Sequence, residues 1–151
     1  MTSTANLQRR KLLAAGVALA VARPAFATRE EMVAAISAFT GGATPKAGRV
    51  TLEGAALVDN GNAVPISVAV ESPMSATDHV TAIAIFNERN PQTDVVKFAL
   101  GPRSGKALVS TRIRMATSQK LTAVARMSDG SFWSSSADVI VTLAACIEGE
   151  G

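Results

Sequence analysis

Beyond residue 27, apolar and polar residues alternate with a helical period in one segment only. Residues 29–39 place four apolar side chains three or four positions apart, which is the spacing of one helix face. Those four residues are Met32, Ala35, Ile36 and Phe39. Thr28 precedes the segment as an N-cap, and Gly41 follows it as a stop signal. The pattern predicts one short N-terminal helix.

The rest of the chain has the period-two alternation and turn signals of strands. The seven predicted strands are Val50–Val58, Val64–Val70, Val80–Phe86, Val95–Leu100, Ala107–Met115, Leu121–Met127 and Phe132–Leu143. Pro65 predicts a position near a sheet edge at the start of the second strand. Val80–Phe86 is apolar on both faces, so we expect a central strand covered by the helix or by a partner subunit. The prediction is an all-β fold, an immunoglobulin-like antiparallel β-sandwich with about seven strands and one short N-terminal helix.

The first 27 residues have the pattern of an export signal rather than of a fold. Arg9 and Arg10 precede the apolar run 12–21, and Ala25 and Ala27 form a small-x-small cleavage site. The paired arginines favour the twin-arginine route for folded cargo. The alternative is an N-terminal membrane anchor, for which the apolar run is short. We therefore expect a cleaved signal (1–27), a sandwich domain with its helix (28–143) and a C-terminal arm (144–151), with no membrane attachment after cleavage.

Cleavage at this point reverses the sign of the net charge. The whole chain has 15 basic and 12 acidic residues and a pI near 9.5. Four of the basic residues and none of the acidic ones lie in 1–27, so 11 basic and 12 acidic residues remain. The basic pI belongs to the precursor, and we expect no nucleic-acid partner.

Cys146 is the only cysteine and lies three residues beyond the last predicted strand. A structural cysteine normally packs inside a helix or strand, whereas the position of this thiol favours reaction with another molecule. An odd cysteine in an exported protein indicates a disulfide with a partner or a working thiol, and the alternative is an incidental thiol in the tail. An extended tail would carry it about 10 Å from the sandwich.

Other candidate chemistry has simpler structural explanations. His79, the only histidine, has no neighbouring ligand residues in sequence, and Met74, Met115 and Met127 fit core positions better than a copper site. The stretch 101–106 lacks the spacing of a phosphate loop and fits a turn between strands. We expect no metal and no cofactor. A Cys146–His79 nucleophilic pair, as in a small exported thiol enzyme, remains an alternative.

Short motifs in a consistent order resemble one known family over essentially all of residues 28–151. The matching stretches are Val58–Gly61, Val64–Pro65, Val70–Met74, Asn90–Pro91, Gly105–Lys106, Ser110–Arg114, Ser118–Gln119, Met127–Ser131 and Trp133. The chain resembles the SoxY family, the sulfur-carrier subunit of the bacterial periplasmic thiosulfate-oxidising system. The export signal and the terminal cysteine agree with this resemblance independently.

The resemblance implies a fold, a set of partners and one site residue. Proteins of this family are immunoglobulin-like, pair with a second β-sandwich subunit called SoxZ, and carry sulfur on a cysteine in a Gly-Gly-Cys-Gly-Gly arm. A haem c enzyme attaches thiosulfate, a dimanganese hydrolase releases sulfate, and in some organisms a molybdenum enzyme oxidises the remaining sulfane sulfur. The carrier is not itself the catalyst. The attachment role falls on Cys146 alone.

The arm of this chain departs from the family pattern. Ala144 and Ala145 replace the two glycines before the cysteine, and Ile147 and Glu148 replace the two after it. Alanine restricts the backbone slightly, and the larger side chains add bulk beside the thiol. Two interpretations follow: a periplasmic carrier working through Cys146, or a divergent binding module that keeps the partner interface without arm chemistry.

Overall fold

The computed structural model describes residues 27–143. These residues form one helix and nine strands: α1 (Arg29–Thr40), β1 (Lys46–Ala47), β2 (Val50–Gly54), β3 (Leu57–Asn60), β4 (Val64–Val70), β5 (Val80–Asn87), β6 (Asp94–Ala99), β7 (Leu108–Ile113), β8 (Gln119–Met127) and β9 (Phe132–Leu143). Within the described range, no helix is long and apolar enough to cross a membrane.

The strands form two sheets that pack face to face. The larger sheet has the order β1-β9-β8-β5-β6, with β3 also paired to β9, and the smaller sheet has the order β2-β4-β7. The pairs β5–β6, β5–β8, β8–β9, β2–β4 and β4–β7 are antiparallel. The predicted β-sandwich is therefore confirmed.

Alternating residues of both sheets fill the space between them. Val68 of the smaller sheet and Ile83, Ile85 and Leu121 of the larger sheet are completely or almost completely buried there. Met74, Met115 and Met127 belong to the same cluster. The interpretation of these three methionines as core residues is confirmed.

The helix α1 covers the outer face of the larger sheet. Thr28 caps it, since its hydroxyl accepts from the Glu31 N–H while the Glu31 carboxylate accepts from the Thr28 N–H. The predicted apolar face is the one that packs, and the Phe39 ring lies 6.0 Å from the rings of both Phe86 and Phe132. Thus α1 covers the outer face of β5, so the apolar character of this strand on both faces has its explanation within the chain.

Two predictions about strands need correction. The predicted strand Val50–Val58 is two strands, because the chain leaves the smaller sheet after Gly54 and joins the larger one at Leu57. A side chain at Gly54 would meet Ile66 at 3.3 Å, so the chain passes unusually close to β4 at this crossing. The sandwich is also not wholly antiparallel, since β1 and β3 both pair with β9 in parallel.

Two smaller predictions concern Pro65 and the loop 101–106. The strand β4 is central rather than an edge strand, but its pairing with β2 begins only at Ile66, so Pro65 lies just outside that ladder. The loop contains a single 3-10 turn, Pro102–Ser104, between β6 and β7. Its interpretation as a connection between strands is confirmed.

Candidate functional site

The predicted arm lies beyond the part of the chain that the structure describes. Cys146, Ala144, Ala145, Ile147 and Glu148 all fall outside the described residues. The site that the structure does describe is the last part of β9, Ile140–Leu143, from which the arm continues. We call this segment the arm base.

Most of the predicted export signal also lies outside the described residues. This applies to Arg9, Arg10 and Ala25. Ala27, the last residue of the predicted signal, is described and buried, and its N–H donates to the Asn90 carbonyl at 3.1 Å.

One side of the arm base is paired with β3. The parallel register places Leu57 beside Ile140, Val58 beside Val141 and Asn60 beside Leu143. The Thr142 hydroxyl adds a side-chain hydrogen bond to the Asp59 carbonyl at 3.0 Å. This strand therefore supports the arm base along its whole length, although its four residues carry too little pattern to reveal a parallel partner in the sequence.

The other side of the arm base is held by one serine. The β8–β9 ladder extends to the pair Gln119–Val139. Beyond it, the Ser118 hydroxyl accepts from the Val141 N–H at 2.9 Å and donates to the Val141 carbonyl at 3.3 Å. The side chain thus makes the two bonds that a further backbone residue would have made. It fixes Val141 two residues beyond Val139, the last β9 residue paired with β8.

Asn90 connects the loop after β5 to the segment that carries Ser118. Its side-chain oxygen accepts from the Ala116 N–H at 2.9 Å and from the Gln119 amide at 2.7 Å. Its side-chain nitrogen donates to the Arg114 carbonyl at 2.7 Å. Three hydrogen bonds from one side chain therefore hold the β7–β8 connection in place. In the sequence, Asn90 stood out only as part of the Asn90–Pro91 motif, and this structural role was missed.

The same polar network extends into the core beneath the arm base. Asn87 is 1% exposed and donates to the Gln92 carbonyl, while Gln119 is 5% exposed and accepts from the Arg89 N–H at 2.8 Å. Among the described residues, every buried side-chain nitrogen and oxygen has a hydrogen-bond partner. A fully satisfied network of this kind rigidifies the structure around it.

Four of the nine stretches that carry the family resemblance lie at this end of the sandwich. Val58–Gly61 contains the end of β3 beside the arm base, Ser118–Gln119 holds its other side, and Asn90–Pro91 braces Ser118–Gln119 from behind. Ser110–Arg114 supplies the carbonyl that Asn90 binds. Part of the sequence similarity therefore coincides with the structural support of the arm base.

His79 lies at the opposite end of the sandwich. Its N–H donates to the Ser128 hydroxyl at 3.1 Å, beside the turn that leads into Phe132 at the start of β9. At about 3.3 Å per residue, Phe132 and Leu143 lie roughly 36 Å apart along β9. Three arm residues span only about 10 Å. A Cys146–His79 pair within one chain does not fit this geometry, so the thiol-enzyme alternative loses its base.

Arg112 and Arg114 are both exposed and lie beside a groove of about 520 Å³ between the edge strands β6 and β7. Asp94 is on the opposite wall, where a hydrogen bond from Lys97 lowers the pKa of its carboxyl.

Within the described residues, no three His, Cys, Asp or Glu side chains come together as potential metal ligands.

Comparisons with known proteins agree with this arrangement. The model of the family described as "Sulfur oxidation protein SoxY" matches residues 36–146, so the match ends on Cys146. Among solved structures, the sulfur carrier protein SoxY from Chlorobium limicola f thiosulfatophilum is 28% identical, with a TM-score of 0.61, and the alignment covers 72% of this chain and 89% of that chain. A comparison with curated proteins gave no match.

Other solved structures share the fold at low identity. The superoxide reductase (neelaredoxin) from Ignicoccus hospitalis is 15% identical, with a TM-score of 0.56, and the alignment covers 76% of this chain and 94% of that chain. This likeness concerns the β-sandwich alone. The family match over most of the chain decides the assignment: the chain belongs to the SoxY family of sulfur oxidation proteins.

Proposed function

We propose that this protein is an exported sulfur carrier of thiosulfate oxidation that holds sulfur intermediates covalently on Cys146. The observation that carries the proposal is the family match, which spans the domain and ends on that cysteine. The protein acts as a substrate carrier, and its partner enzymes perform the catalysis.

The arm base gives the proposal a physical rationale. Val141 is tied to Ser118 on one side, and Leu57–Asn60 is paired along the other, so the strand is fixed up to Leu143. A thiol three residues further on stays within about 10 Å of a rigid anchor. Such a carrier presents its cargo close to the surface that its partners bind, which raises the effective concentration of the thiol at their active sites.

The proposed chemistry uses the Cys146 thiolate as nucleophile. Oxidative joining of this thiolate to thiosulfate forms one S–S bond and releases two electrons, which the haem c of the loading enzyme accepts. Hydrolysis by the dimanganese enzyme then adds water, releases sulfate and leaves a persulfide on Cys146. A molybdenum enzyme oxidises that remaining sulfur where it is present.

The proposal includes a SoxZ-like β-sandwich subunit as a stable partner and the periplasm as the location. Export by the twin-arginine route delivers the domain folded, and cleavage after Ala27 makes Thr28 the first residue. The Thr28 nitrogen already lies 2.8 Å from a Glu31 carboxylate oxygen. The new ammonium group would therefore have a counter-charge at the start of α1.

The second candidate is a divergent binding module that keeps the partner interface and has lost the arm chemistry. The observation that favours it is the replacement of the four arm glycines by Ala144, Ala145, Ile147 and Glu148. This module would assemble normally with its partner subunit, and the substitution Cys146→Ser would leave its function unchanged.

Intact-mass measurement of the protein purified from the periplasm of its native host separates the two candidates. A carrier gives a chain that begins at Thr28 and includes a fraction with sulfur or thiosulfate added to Cys146. A chain without any adduct, isolated from cells that are oxidising thiosulfate, favours the binding module.

A further inference from the structure

Two large apolar side chains are exposed next to each other at the arm base. Leu57 and Ile140 are register partners in the β3–β9 ladder, and their exposed fractions are 59% and 56%. Parallel neighbours of this kind point to the same side of the sheet. They form one continuous apolar area, which we call the Leu57–Ile140 patch.

Two acidic residues flank this patch. Asp59 and Asp138 lie two residues from Leu57 and Ile140 along their strands, so they share the same face, and both are exposed. Lys120 forms an ion pair with Asp138 at 3.0 Å, which leaves Asp59 as the stronger source of negative charge beside the patch.

The position of the patch matters because the arm is short. This step rests on the proposed function, in which an enzyme must receive Cys146 in its active site. The cysteine reaches only about 10 Å beyond Leu143, so the enzyme must contact the sandwich close to the arm base. Ile140 is itself three residues, or about 10 Å, from Leu143 along β9.

We propose that the Leu57–Ile140 patch is the docking surface for the haem c enzyme that loads Cys146. The complementary surface of such an enzyme has an apolar centre and a basic rim. Interfaces of short-lived complexes are small, and complementary charges increase the rate at which the partners associate. Two apolar side chains within a charged rim have both properties. A carrier that visits several enzymes in turn requires contacts of this kind.

The test compares paired variants in the complete carrier complex. The variant Leu57→Thr/Ile140→Thr removes the apolar patch while keeping residues that favour strands. Leu108→Thr is the matched control, because Leu108 is also a strand residue and 53% exposed, but belongs to the smaller sheet. The measurement is the initial rate at which the haem c loading enzyme attaches thiosulfate to Cys146, as a function of carrier concentration.

The double variant is expected to raise the half-saturating carrier concentration about tenfold and to leave the maximal rate unchanged, since few residues dominate a small interface. The Leu108→Thr control should behave as the wild type. An unchanged half-saturating concentration in a folded double variant overturns the inference. Loss of binding to the SoxZ-like subunit, or a change in self-association, also overturns it, since the patch would then serve a stable interface.

The charged rim provides a second, independent measurement. Asp59→Asn/Asp138→Asn should slow loading at low salt and flatten its dependence on ionic strength, whereas an unchanged salt dependence contradicts the basic rim of the partner.

The controls also separate this inference from the proposed function. If the wild-type carrier is not loaded at all, the proposed function fails; if it is loaded and the patch variants behave as wild type, only the docking surface is wrong.

Discussion

The hydroxyl of Ser118 binds both backbone groups of Val141, accepting from its N–H at 2.9 Å and donating to its carbonyl at 3.3 Å. The two residues are 23 positions apart in the chain. Their contact lies where the β8–β9 ladder has ended, and it fixes the strand that leads to Cys146. The proposed carrier therefore has a rigid base directly beneath its arm.

Ser118→Ala should loosen this base selectively. Loss of the hydroxyl removes both bonds to Val141 and should lower the free energy of unfolding by about 1 kcal/mol. The Val141 amide should exchange its hydrogen roughly fivefold faster, as measured by NMR. Ser110→Ala is the control, since it removes an exposed hydroxyl contact with Ser67 away from the arm base; equal protection of Val141 in both variants would contradict the role of Ser118.

Asn90→Ala should be more damaging, because its side chain makes three hydrogen bonds, to Ala116, Arg114 and Gln119. At about 1 kcal/mol for each bond, the free energy of unfolding should fall by roughly 3 kcal/mol, as measured by urea denaturation. Asn62→Ala, at an exposed position, should change it by less than about 0.5 kcal/mol. A similar small effect at both positions would show that the network around Asn90 is not important for stability.

Local and short-period patterns in the sequence were sufficient to predict much of this fold. The cap at Thr28, the apolar face of α1 and the left-handed stop at Gly41 involve residues within one or two turns of each other, and all are present in the structure. The inward residues of β4 were also predictable, because buried and more exposed residues alternate along this strand.

The features that escaped prediction depend on pairing between distant segments. The strands β1 and β3 have two and four residues, too few to show a period, and their parallel pairing with β9 has no local signal. The bonds of Ser118 and Asn90 arise only once the register of several strands is set. For the same reason, the separation of His79 from the arm base could not be derived from spacing along the chain.

Asp94 gives the stability a small dependence on acid pH. Its hydrogen bond with Lys97 lowers its folded-state pKa below the ordinary value of 3.8. Its contribution is therefore present in full above that value and is lost as the pH falls through the lower folded-state pKa. Since both side chains are substantially exposed, we expect about 0.5 kcal/mol or less. Urea denaturation at neutral pH and at pH below 3.8 gives the change in the free energy of unfolding with pH. Asp94→Asn should make this change smaller, and an unaltered change would contradict the pairing.

The side chains that replace the arm glycines should slow the approach of an anion to the thiol. Glu148→Gln should raise the rate of thiosulfate attachment roughly two- to fivefold at low salt, because removal of one like charge is worth about 1 kcal/mol or less. The gain should shrink at high salt. Glu30→Gln, at an exposed position on α1, should leave the rate unchanged. A rate that does not respond to Glu148→Gln would show that this charge has no influence on loading.

The most direct test of the carrier function is the intact mass of the complex of this protein with its SoxZ-like subunit, after incubation with thiosulfate and the haem c loading enzyme. The result predicted is the addition of one thiosulfate group to this chain, reversed by a reducing thiol and absent from the Cys146→Ser variant. An unmodified chain under conditions in which the enzyme loads a carrier with a glycine arm would contradict the function proposed for Cys146.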